Sequence, residues 1–171
     1  RPIRSMSYQN MPIGYFGVDE RFGKRSDFQC FVDVAHQHGI AVIVDMVYGH
    51  TGIDFPYYDV YTRLGYHENP FMGTFAKDYF SNFGKSTDFN RQFTRDYFFS
   101  VNHHWLEVYH VDGIRYDCVP NYWDGPMGVG YANLVFETYH LTKSKIDLHQ
   151  SYWDRFSSRA DTPITLIQCA E

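Results

Sequence analysis

Three short strand-like runs in this chain each stop at a carboxylate, and helical patterns lie between them. The run 40–44, Ile-Ala-Val-Ile-Val, leads into Asp45; the run 111–116 leads into Asp117; the run 164–170 leads into Glu171. A short, largely β-branched run suits a strand buried on both faces of a parallel sheet. Strands that alternate with helices imply βα units, and no internal repeat suggests a solenoid instead. In parallel α/β folds the reactive groups gather at the C-terminal ends of the strands. The three acids are therefore the first candidates for a site.

The intervening segments support this reading. Residues 1–25 read mostly as loop. The spacing of Phe28, Phe31, Val32 and Ala35 predicts a helix over 26–38, opened by a Ser26–Gln29 capping box and stopped by Gly39. Phe93, Tyr97, Val101, Trp105 and Val108 predict a second helix from Asn90 to about Tyr109. Tyr131, Leu134, Val135, Thr138 and Leu141 predict a third, and a shorter helical stretch follows around 152–159. Residues 51–89 show no clean period, and so long a stretch is a functional excursion rather than an ordinary connection.

Composition excludes several classes of partner. Apolar residues are 44% of the 171, enough for a sizeable core, while net charge is −5 with no basic run. Nucleic acid and anionic membrane surfaces are thus poor partners, and no apolar run is long enough to span a bilayer. Three sparse cysteines, Cys30, Cys118 and Cys169, do not form a disulfide framework. Buried free thiols in a reducing compartment are expected, which favours the cytoplasm. Fifteen Tyr and fifteen Phe suit a protein that stacks sugars on rings, although most such rings serve as ordinary core. The histidine spacings, including His36/His38 and His103/His104, do not suit a metal site.

Asp117 follows Arg115 by two residues, so on a strand both side chains share one face. A guanidinium beside a carboxylate favours its charged form, as a nucleophile at an anomeric carbon requires. A structural ion pair at a strand end fits the same spacing. Glu171 supplies a second carboxylate at a neighbouring strand end. Glycoside hydrolysis uses two such groups, one to attack and one to hold a proton for the leaving oxygen.

At this point the residues resemble a known family. Asp45-Met46-Val47-Tyr48-Gly49-His50 is similar to the first sequence region of the α-amylase family of glycoside hydrolases, and Val111-Asp112-Gly113-Ile114-Arg115-Tyr116-Asp117 to the second. Glu171 matches the acid of the third region. Gly14-Tyr15-Phe16, Arg21-Phe22-Gly23 and Asp27-Phe28 resemble the loop and helix after the family's second strand. The resemblance runs from about Pro12 to Glu171. It implies an α/β chain forming roughly strands two to five of a TIM (β/α)8 barrel. Residues 51–89 would be a long loop or small inserted subdomain after the third strand. It further implies Asp117 as nucleophile, Glu171 as acid/base, Arg115 and His50 as contacts to the reacting sugar, Tyr15 as its stacking platform and Asp45 as support for the arginine. The substrate would be an α-glucan or oligosaccharide, and no cofactor is implied.

Two departures refine this. Gly49 stands where the first region usually has an Asn that ligates calcium in many α-amylases, so no calcium site is expected beside His50. Pro120 and Asn121 stand where classical α-amylases often carry Lys-His. Together with Trp105-Leu106-Glu107 and Tyr109-His110-Val111, this brings the chain nearer to branching enzymes, isoamylases and trehalose-releasing relatives. A member of the family that has lost catalysis and serves as a binding or scaffold module is the alternative. Loss of the Asp, Arg or Glu would mark it, and all three are present. The family's third acid would lie beyond this chain.

Overall fold

The computed structural model describes residues 12–52, 54–66, 71, 85–122, 130–157 and 164–171. Residues 1–11 of the first loop and much of the excursion therefore lie outside the described residues.

The first helix, α1 (Arg25–Gln37), begins at Lys24, whose backbone N–H donates to Asp27 Oδ2 at 2.7 Å. The start differs from the predicted Ser26–Gln29 box because Gln29 is used elsewhere. Its amide donates to the carbonyl of Val108 at 2.8 Å, joining this helix to the end of another. Gly39, at φ +70°, terminates the helix as expected. Val32 and Ala35 are buried, but Phe31 is exposed.

Strand β1 (Ile43–Met46) starts later than the run 40–44 and takes Asp45 inside it. The cause is local. Asp112 Oδ2 accepts the Val42 N–H at 2.7 Å, and the Val42 carbonyl accepts the Asp112 N–H at 2.8 Å. A side chain holds the approach to the strand where a ladder was expected.

The excursion opens with β2 (His50–Thr51) and continues into α2 (Pro56–Arg63), which has proline in its first turn, where a missing N–H costs nothing. It returns at β3 (Lys85–Ser86), antiparallel to β2 with His50 opposite Ser86. Helix α3 (Gln92–Val108) follows. Its buried face holds Phe98, Val101, Trp105 and Leu106, with Thr94 and Asn102 among them. The predicted stripe holds except at its start: Val101 and Trp105 belong to the core, Tyr97 and Val108 pack against it, and Phe93 is exposed. With aromatic residues on several sides of the helix, apolar spacing alone does not place every ring.

Strand β4 (Gly113–Tyr116) lies between β1 and β5 (Ile167–Ala170), parallel to both. Between them, α4 (Gly130–Asp147) packs on α3 and buries Leu134, Thr138 and Thr142. The stretch predicted around 152–159 is a short 3-10 turn, Trp153–Phe156. Ile164 makes an isolated antiparallel bridge to Ser157, which delays β5 to Ile167. Gly113 is required where β4 meets β5, since a Cβ there would lie 2.3 Å from the Ile167 carbonyl oxygen.

The core is strongly aromatic. Tyr48 stacks on Phe98 at 4.3 Å, and Phe89 on Tyr122 at 4.9 Å. The cysteines depart from expectation: all three are free, but Cys30 and Cys169 are exposed and only Cys118 is partly covered. Burial of thiols was inferred from their scarcity, which says nothing of which strand face they occupy. Among the described residues no helix is long and apolar enough to cross a membrane.

Candidate active site

Alternation along β4 sets the site. Ile114 and Tyr116 are fully buried on one face, so Arg115 and then Asp117 turn to the other. The register places Asp45 of β1 and Cys169 of β5 on either side of Arg115. Glu171, two residues past Cys169, returns to that same face. The strand ladder continues beyond β5: the Glu171 N–H donates to the Tyr116 carbonyl at 3.1 Å, and the Val119 N–H to the Glu171 carbonyl at 2.9 Å.

Arg115 gathers the acids. Its Nη1 donates to Asp45 Oδ1 at 2.6 Å and to Asp117 Oδ1 at 3.0 Å, and its Nη2 pairs with Glu171 Oε2. The guanidinium holds its proton more tightly than an ordinary arginine. The hydrogen bond to Asp45 is the main cause; partial desolvation opposes it, and the charges of Asp45 and Glu171 add to it. One cation faces three carboxylates, so the rim carries net negative charge. Asp45 and Glu171 are 62% and 63% exposed there. Pairs this open contribute only about 0–1 kcal/mol each to stability. Holding the fold together is thus a small part of what the cluster can do.

Immediately after Asp117, Cys118 adopts a left-handed conformation at φ 45°. A non-glycine residue there is strained, and such residues cluster at functional sites. Burial, then the charges of Asp117 and Glu171, push its thiol above the ordinary value of 9.0. The conformation turns the chain sharply away from the strand, leaving Asp117 at the rim.

The other two sequence candidates form a separate pair. Tyr15 donates its hydroxyl to the His50 carbonyl at 3.1 Å, and both residues are 5% exposed. The Tyr15 ring sits edge-on to Phe98 at 5.1 Å and to Tyr48 at 5.7 Å, inside the aromatic core. Burial raises its hydroxyl well above the ordinary tyrosine range, so it acts as a neutral donor. A groove of about 950 Å³ runs along the outer edge of β1, over Phe31, Val34 and Ile43, and meets the site at Asp45 and Tyr15. It is lined by neither Arg115 nor Asp117. Among the described residues no group of three or more His, Cys, Asp or Glu is placed to hold a metal ion.

Apolar periodicity missed the polar residues beneath the rim, the buried Asn102 and the partly buried Gln168 among them. The available signal was an asparagine between Val101 and His103 in an otherwise apolar helical stripe.

Comparison with known proteins bears on the family and the fold. The model of the alpha amylase catalytic domain matches residues 4–93. The chain is 37% identical over 132 residues to the 1,4-alpha-glucan branching enzyme GlgB of Bacillus cytotoxicus, covering 71% of this chain and 18% of that protein. It is 38% identical over 120 residues to GlgB of Pseudomonas aeruginosa, covering 67% and 15%. The chain thus spans less than a fifth of these relatives. Among solved structures, a putative alpha amylase from Salmonella typhimurium superposes with a TM-score of 0.60 at 20% identity, over 94% of this chain and 25% of that one. A debranching enzyme from Nostoc punctiforme gives 0.60 at 21% identity, over 81% and 31%. These neighbours share the barrel fold, and the described part of this chain is an α/β portion of it with a parallel sheet. On the match of its first half and its likeness to branching enzymes, the chain belongs to the alpha-amylase catalytic-domain family.

Proposed function

We propose that this chain forms strands two to five of a (β/α)8 barrel in a retaining glycoside hydrolase or transglycosylase that acts on α-linked glucans. Residues 51–89 would form its inserted subdomain, closed at the base by the β2–β3 pair. The observation that carries the reading is the single guanidinium of Arg115 joining Asp117 and Glu171 at one rim of parallel strands.

In this reading an Asp117 oxygen attacks the anomeric carbon. The bond from that carbon to the leaving oxygen breaks as Glu171 donates a proton to it. Glu171 then takes a proton from water or from a sugar hydroxyl, whose oxygen displaces Asp117 from the same carbon. Configuration is retained after two inversions. The exposed Arg115–Glu171 contact has to open for Glu171 to reach the leaving oxygen, while Asp45 keeps the arginine beside Asp117. Tyr15 and His50 are the proposed stacking platform and ring contact. Both are nearly covered, so a sugar has to uncover them.

The test uses the complete protein. Asp117→Asn and Glu171→Gln should each abolish turnover of an α-glucan, and a fluorinated glucosyl fluoride should label the Asp117 peptide. A folded complete protein that binds α-glucan, turns none over and takes no label would favour the binding-module alternative.

A further inference from the structure

Beneath the rim, five side chains form a hydrogen-bond relay to which the proposed mechanism assigns no role. Asn102, near the middle of α3, is fully buried, as are Tyr48, Tyr116 and Thr138. Asn102 Oδ1 accepts the Tyr48 hydroxyl at 2.7 Å. Its Nδ2 donates to the Tyr116 hydroxyl oxygen and to Thr138 Oγ1, both at 2.9 Å. The Tyr116 hydroxyl donates to Gln168 Oε1 at 2.7 Å, and the Thr138 hydroxyl to the Leu134 carbonyl at 2.7 Å. Gln168 Nε2 then donates to the Val135 carbonyl at 3.1 Å.

Donor and acceptor inventory fixes the direction of each bond. The Asn102 amide has one oxygen and two N–H groups, and all three are engaged. Reversing any member would leave a buried donor facing a donor, or an acceptor facing an acceptor. A buried network of this kind is stiff when satisfied and costly when broken.

Its outer members stand where the candidate residues stand. Tyr48 lies between Asp45 and His50, Tyr116 directly precedes Asp117, and Gln168 lies three residues before Glu171. Tyr116 and Gln168 reach across from β4 to β5 on the face opposite the acids. We infer that Asn102 is a positioning residue which, through Tyr116 and Gln168, sets the height of the β4 tip against the β5 tip and so the placement of Glu171 relative to Asp117. The inference rests on the roles proposed above for those two acids. Reaction rates in such sites are sensitive to displacements of an ångström or less, because the reacting groups must already be aligned.

The experiment removes single polar atoms and reads two substrates on the complete protein. One is an α-glucan, whose leaving sugar needs the Glu171 proton. The other is α-glucosyl fluoride, whose leaving group departs without one. Tyr116→Phe keeps the ring and removes the hydroxyl, and Gln168→Met removes the amide at similar length. Each should lower kcat/KM on the glucan, which reads the steps up to departure of the leaving group, about tenfold or more, and lower kcat/KM on the fluoride by less than about twofold. Asn102→Asp should follow the same pattern; if it fails to fold, the other two variants carry the test. An equal loss on both substrates would mean only a smaller folded fraction and would overturn the inference, as would no loss on either. Failure of the underlying reading looks different: wild type would show no turnover, or Asp117→Asn would keep it.

Discussion

Asp45 and Glu171 stand on the two outer strands of the sheet and hold the same guanidinium, that of Arg115 on the strand between them. The pairing makes the arginine a bridge across all three strands. It also means that removing it leaves three carboxylates facing one another.

Arg115→Ala should therefore cost activity far more than stability. Arg115 makes three pairs worth about 0–1 kcal/mol each, so urea denaturation should shift by about 1–2 kcal/mol in all. Turnover should fall by about a hundredfold or more, since an oriented charge at the reacting centre is lost. Arg115→Lys should recover little of it, because one ammonium cannot span Asp45 and Glu171 in the way a planar fork does.

A substitution that adds one carbon should be felt strongly at Gly113. The new Cβ of Gly113→Ala would meet the Ile167 carbonyl oxygen at 2.3 Å and the Ile167 Cβ at 2.6 Å. Both are strand atoms with little room to move. Overpacking of this type costs about 1–3 kcal/mol, which urea or thermal melts will report.

Two phenylalanines five residues apart on α3 test which face of the helix is inside. Phe98 is fully buried between the Tyr48 and Phe89 rings, at 4.3 and 5.5 Å, while Phe93 is 40% exposed. Phe98→Ala should destabilise the fold by about 3–5 kcal/mol, and Phe93→Ala by much less. Equal costs would return Phe93 to the inner face that sequence periodicity alone gives it.

The Cys118 thiol should resist alkylation at neutral pH while exposed Cys30 reacts, because burial and the neighbouring carboxylates hold its proton. Asp117→Asn should ease this only in part, since burial is the larger cause. The sign for stability follows. The folded chain retains this proton to higher pH than the unfolded chain does. The contribution is full below 9.0 and is lost as pH rises through the higher folded value. Mass spectrometry of labelled peptides across a pH series will read both.

Much of the frame was legible because strand runs and helix stripes leave strong periodic signals. Order, parallel direction and the gathering of Asp45, Arg115, Asp117 and Glu171 followed from runs that end in acids. The boundaries were less legible. Asp112 takes the Val42 N–H by a side chain, a contact seventy residues apart that no local pattern encodes. The inner face of α3 was legible except at one ring: Phe93 and Phe98 look alike in sequence, and only packing against Tyr48 and Phe89 tells them apart. Asn102 was passed over for a related reason. Apolar periodicity assigns an amide to water, and only a set of partners from three other segments makes it interior.

The outer side of β1 has a consequence for how this chain must be handled. Among the described residues nothing pairs with that edge, and Phe31, Val34, Ile40 and Ile43 beside it are 43–59% exposed. Two chains that meet in solution offer each other open rows of N–H and C=O groups together with apolar side chains. Encounters of that kind grow with the square of concentration, whereas folding within one chain does not. Soluble yield is then governed by how dilute the chain is while it folds.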